Sequence, residues 1–71
     1  MSDDRAEFSV VEFYTDGTHR YVVRFIEGKP AVVIAKFLAD HPSDDLERVI
    51  ITDGGDYTVF EWTKGEGVTF K

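Results

Sequence analysis

The run from Leu46 to Trp62, LERVIITDGGDYTVFEW, constrains this chain more than any other stretch, because its pattern is that of a β-hairpin. Val49, Ile50, Ile51, Tyr57, Thr58, Val59, Phe60 and Trp62 are β-branched or aromatic, the residues that suit a pleated, half-buried surface. Between them, Asp53-Gly54-Gly55-Asp56 supplies the residues that enter a tight turn at little cost. With Gly54 and Gly55 as the central pair, Thr52 falls opposite Tyr57, Ile50 opposite Val59, Val49 opposite Phe60, and Arg48 opposite Glu61, an ion pair that favours this register. One face then carries Val49, Ile51, Phe60 and Trp62, and the other Ile50, Tyr57 and Val59. Both faces are apolar enough to seek a cover.

A second hairpin precedes it. EFSVVEFY (7–14) and HRYVVRFIE (19–27) flank Thr15-Asp16-Gly17-Thr18, and Asp-Gly between two such runs is a strong hairpin signal. Taking Asp16 and Gly17 as the central pair of a type I′ turn sets Phe8 opposite Phe25, Val10 opposite Val23, Glu12 opposite Tyr21 and Tyr14 opposite His19. The reverse face carries Ser9, Val11, Phe13, Arg20, Val22 and Arg24, a mixture suited to partial solvation. Gly28-Lys29-Pro30 breaks the strand pattern, and PAVVIAKFLAD (30–40) predicts a helix with Val33, Ile34, Phe37 and Leu38 as its buried stripe. His41-Pro42 ends it, since the residue before a proline is pushed out of the α region. Lys64-Gly65-Glu66-Gly67 is a further turn, and Val68 and Phe70 alternate as in a short last strand. The expected fold is α+β, in the order ββαββ: an antiparallel sheet of two hairpins with one helix packed on one face and a short fifth strand. Residues 1–5 read as a frayed terminus and 6–71 as a single domain.

With 71 residues and no Cys, such a domain has a small core and no disulfide to reinforce it, so association with a partner or a second copy is the reinforcement left to it. The opening Met1-Ser-Asp-Asp-Arg lacks the basic and apolar regions of a signal peptide, and no run approaches the ~20 apolar residues of a membrane span, which predicts a cytoplasmic protein with no membrane partner. A net charge of −6 argues against a phosphate-binding surface. The acids are interrupted by Arg5, Arg20, Arg24, Lys29, Lys36, Arg48 and Lys64, which also speaks against mimicry of DNA.

Chemistry-bearing motifs are sparse. His19 and His41 have no second ligand at a metal-binding spacing. His19 is expected beside its turn, stacked on Tyr14, and His41 at the helix C-terminus, where the dipole favours it. Ser2, Ser9 and Ser43 stand in no nucleophile pattern. The carboxylate pairs Asp3-Asp4 and Asp44-Asp45 are adjacent in sequence and are not held across a cleft. The expectation is a protein without catalytic, cofactor or metal residues that binds a protein partner, host or self, through Ile50, Tyr57, Val59, Arg48 and Glu61 on the outer face of the central hairpin. The alternative is a nucleic-acid-related protein, either a DNA mimic or a single-strand binder that stacks bases on sheet aromatics.

The segments VIITDGGDYTVFEWTKGEGVTF (49–70) and VVEFYTDGTHR (10–20) resemble small proteins encoded in actinobacteriophage genomes. The resemblance lies in overall pattern, covers the chain from Val10 onward and carries over no site residue. It implies a phage or prophage accessory protein that acts in a bacterial cytoplasm by binding a host or defence protein.

Overall fold

A computed structural model describes residues 6–70, with the side chain of Phe70 left out; the expected frayed terminus, 1–5, lies outside the described residues. The elements are β1 (Phe8–Tyr14), β2 (His19–Ile26), α1 (Gly28–Asp40), β3 (Leu46–Thr52), β4 (Thr58–Thr63) and β5 (Gly67–Phe70). They form one antiparallel five-stranded sheet, ordered β2-β1-β3-β4-β5, with α1 on one face. This is the expected α+β fold with its short fifth strand. The long-range step is the pairing of β1 with β3, which puts the two hairpins edge to edge.

Both hairpin turns differ from expectation for one reason: an aspartate side chain organises each of them. In the first, Gly17 N–H donates to Tyr14 O at 3.0 Å, and Asp16 Oδ1 accepts from the N–H and the hydroxyl of Thr18. Gly17 alone in this turn takes a positive φ, 90°, so the turn is the longer form with a glycine bulge and not type I′. In the second, Asp53 Oδ1 accepts from Gly55 N–H and Tyr57 N–H, and Asp53 N–H donates to Tyr57 O. The positive φ falls on Asp56, at 66°, and not on Gly54 or Gly55.

The registers shift accordingly. In the β3–β4 hairpin Val49 pairs with Trp62, Ile50 with Glu61 and Ile51 with Phe60, a slip of two from the expected pairs. An even slip preserves faces, so Val49, Ile51, Phe60 and Trp62 do share the helix side. Arg48 lies opposite Thr63 and reaches Glu61 diagonally, at 3.3 Å. A bulge after Ile51 brings Thr52 opposite Thr58, leaving Val59 as the extra residue. In the first hairpin Val10 pairs with Val23 as expected, but Phe8 pairs with Ile26 and not Phe25. A bulge at Val22 then sets Val11 opposite Tyr21, Glu12 opposite Arg20 and Phe13 opposite His19. This slip is odd, so it reverses the face of every β2 residue before it. His19 and Tyr21 go to the open face, and Arg20 comes to the helix side to meet Glu12.

The helix starts at Gly28, two residues before the expected Pro30, which stands in the first turn where it forfeits no hydrogen bond. His41 N–H caps the end by donating to Phe37 O at 3.0 Å. The buried stripe is not the expected one. Ala31 and Ala35 are fully buried against Val10, Leu46, Val49 and Ile51, with Ile34 and Leu38 beside them. Val33 and Phe37 point away, at 67% and 61% exposure. Two alanines at the contact let the helix lie close to the sheet, so the wide side chains end up on its outer side and not beneath it.

Candidate docking site

Because α1 packs on β3 and β1, and less on β2, the helix side of β4 and β5 is covered only in part: Phe60 is buried, whereas Val59 and Val68 are exposed. The space between α1 and β4 is an open groove of about 760 Å³ floored by Phe8, Ile51, Val59 and Phe60, with Val32 and Val33 as its helix wall and Lys29 and Lys36 on the rim. A second hollow, which shares Lys36 and Phe60 with the first, continues it past Trp62 to Val68. The bulge that frees Val59 from regular pairing turns it into this groove. The first hollow is apolar with two cations, Lys29 and Lys36, at its rim, and Asp40 adds an acid beside the second.

The opposite face of the sheet carries a row of stacked side chains that crosses four strands. The Arg24 guanidinium lies 4.0 Å from the Tyr21 ring centroid, and Tyr21 meets His19 edge to face at 6.1 Å. His19 meets Phe13 at 5.7 Å, and Phe13 lies under the Arg48 guanidinium at 4.5 Å, which in turn pairs with Glu61. His19 therefore stacks on Phe13 and Tyr21 and not on Tyr14. Val11 is buried within this row and Ile50 half-buried.

The five residues expected to bind a partner are thus divided among three places. Arg48, Ile50 and Glu61 stay together on the open face; Val59 belongs to the groove on the other side; Tyr57 projects from the β3–β4 turn, where its ring packs near Gly55. Sequence reasoning missed Phe8, Val32 and Lys36 as groove residues. Nothing local marks them, because the groove arises from where the helix rests across the sheet.

Glu12, 5% exposed, is the buried carboxylate among the described residues, and its needs are met from its own hairpin. It accepts from Tyr14 Oη at 2.5 Å and from Arg20 at 3.0 Å. The hydrogen bond to Glu12, with burial adding to it, raises the Tyr14 phenol above its ordinary 10.0. At the β1–β2 turn the Thr18 hydroxyl and N–H lower the carboxyl of Asp16. Among the described residues no three His, Asp or Glu side chains converge as a metal site would require, and no helix is long and apolar enough to cross a membrane. No family model, curated protein or solved structure matches this chain.

Proposed function

We propose that this chain is a non-enzymatic protein-binding module that docks a protein in the groove between α1 and β4. The observation that carries this reading is the largely apolar groove that runs from Phe8 toward Val68, with Lys29, Lys36 and Asp40 at its rim, left open in a chain of 71 residues whose core is small. Contiguous apolar surface of this kind costs solubility unless something covers it. The bacterial cytoplasm belongs to the same proposal, as the setting that the phage resemblance implies, and a host protein is the partner class it suggests.

The test uses Val59→Lys, which puts a charge in the groove at a position 37% exposed and so leaves the core intact. Tagged wild type should retain a protein from bacterial lysate, or a second copy of itself, that the variant loses while melting at the same temperature. Equal retention by both proteins, with equal size in solution, removes the groove as the docking surface.

A second reading places single-stranded nucleic acid on the open face, with His19 and Tyr21 as stacking surfaces and Arg24 and Arg48 beside them. It is weaker, because Arg48 is already paired with Glu61. Fluorescence titration with a labelled oligonucleotide at low salt decides it, binding supporting the reading and a flat response removing it.

A further inference from the structure

The charges of the groove are ordered along its length. Lys29, Val32, Val33 and Lys36 form one flank of α1 and line the first hollow, and Asp40 carries that flank on into the second. Lys29 and Lys36 are exposed, and among the described residues neither is in an ion pair. They stand two turns apart, ~10.5 Å along the helix, with Asp40 ~6 Å further on. At physiological ionic strength exposed charges more than ~8 Å away are largely screened, so these three side chains, and not the net charge of −6, set which charges the groove accepts. The floor, for its part, offers no backbone. β4 is paired with β3 on one side and β5 on the other, so an extended segment laid in the groove finds no open strand edge to join. A helix makes its backbone hydrogen bonds internally and needs only side-chain contact there.

Resting on the reading of the groove as a docking surface, we infer that the partner enters it as an amphipathic helix with an acidic flank. Two carboxylates two turns apart on that helix pair with Lys29 and Lys36, and a basic residue one turn beyond them meets Asp40. Its apolar face lies on Val32, Val33 and Val59, which are exposed, while the buried Phe60 backs the floor beneath them. A helix lying alongside α1 therefore has to present acid, acid and base at spacings of about seven and four residues, the spacings of the rim itself. A basic helix sets cation against cation at both lysines, and an uncharged one leaves them unpaired at the edge of an apolar contact. Each exposed rim pair contributes little by itself, so the selection lies in the difference between matched and opposed charges.

The experiment is fluorescence anisotropy with labelled synthetic peptides of about 16 residues, ~24 Å long as helices. The acidic peptide carries leucines on one face, two glutamates about seven residues apart and a lysine about four beyond the second, and its reversed sequence covers the opposite direction of entry. A charge-swapped peptide exchanges the glutamates and the lysine, and a further one keeps the acidic pattern with a proline at its centre. In one direction or the other, the wild type should bind the acidic peptide on the order of tenfold more tightly than the charge-swapped one, and the proline peptide should bind weakly. Lys29→Glu combined with Lys36→Glu, at two exposed positions, should invert the preference, and Val59→Gln should weaken every peptide. Circular dichroism selects variants that keep the wild-type fold. Equal binding of the acidic and charge-swapped peptides overturns the acidic flank, and equal binding of the proline peptide overturns the helix; loss of that binding in Val59→Gln keeps the groove in either case. Failure of all the peptides, beside retention from lysate that Val59→Lys loses, overturns this occupant and keeps the groove. Failure of the peptides with no such retention overturns both.

Discussion

Truncating Phe60 to Ala should unfold this domain at a much lower temperature than truncating Phe37, although both are aromatics expected in one core. Phe60 is 7% exposed and packs in the core cluster, whereas Phe37 is largely exposed on the outer side of α1. An aromatic side chain removes about 150–250 Å² from water on burial, worth roughly 4–6 kcal/mol at about 25 cal/mol/Å². Because the groove opens at Phe60, water and the Val59 side chain relax into the void, which places the cost near the lower end of the usual 3–5 kcal/mol, about 3. Against a total of about 4–11 kcal/mol for 71 residues, that is a large share. The melting temperature should fall by about 12–24 °C, at about 4–8 °C per kcal/mol for a domain of this size. Phe37→Ala should stay within about 0.5 kcal/mol of wild type. The assay is far-UV circular dichroism against temperature on all three proteins. Similar losses for the two variants, or a larger loss for Phe37→Ala, would refute the assignment of Ala31 and Ala35 as the helix contact.

Three further outcomes follow from the side-chain bonds. Asp53→Ala removes the Oδ1 that accepts two backbone N–H groups in the β3–β4 turn and should cost about 1 kcal/mol in a thermal melt, whereas Gly54→Ala leaves that acceptor in place. Arg20→Ala should lower the melting temperature by leaving the buried Glu12 carboxylate with Tyr14 alone, and adding Glu12→Gln should recover part of the loss, which a double-mutant cycle measures. The raised Tyr14 phenol contributes stability that is present below its unfolded pKa of about 10 and is lost as pH rises through the raised value, so Tyr14→Phe should flatten the alkaline limb of a stability profile.

The fold was legible because its signals are local: two Asp-Gly turns between apolar runs, a Gly-Lys-Pro break and a 3.6-residue period. The registers were not, because Asp16 and Asp53 accept backbone hydrogen bonds that lengthen each turn, and residue type alone does not say whether an aspartate will do so. The consequence depended on parity. Between β3 and β4 the slip was even, so Phe60 and Trp62 kept their expected side. The bulge at Val22 made the other slip odd, which moved His19 and Tyr21 to the open face and brought Arg20 to Glu12. In the helix, the period marked a broad apolar surface but not its centre. Val33 and Phe37 are the larger residues, yet the close approach to the sheet is made by Ala31 and Ala35. The groove was illegible for the same reason, since it depends on the lateral position of α1 and on Val59 leaving the open face.

Trp62, the one tryptophan of the chain, lines the far end of the groove and is only half-buried in the monomer, so it reports directly on whether the groove is filled. Its emission should move to shorter wavelength, and its quenching by acrylamide should fall, when the protein that the wild type retains is bound, while Val59→Lys keeps the unbound value. Emission that remains constant while the wild type binds that protein would place the contact elsewhere on the molecule and contradict the groove as the docking surface.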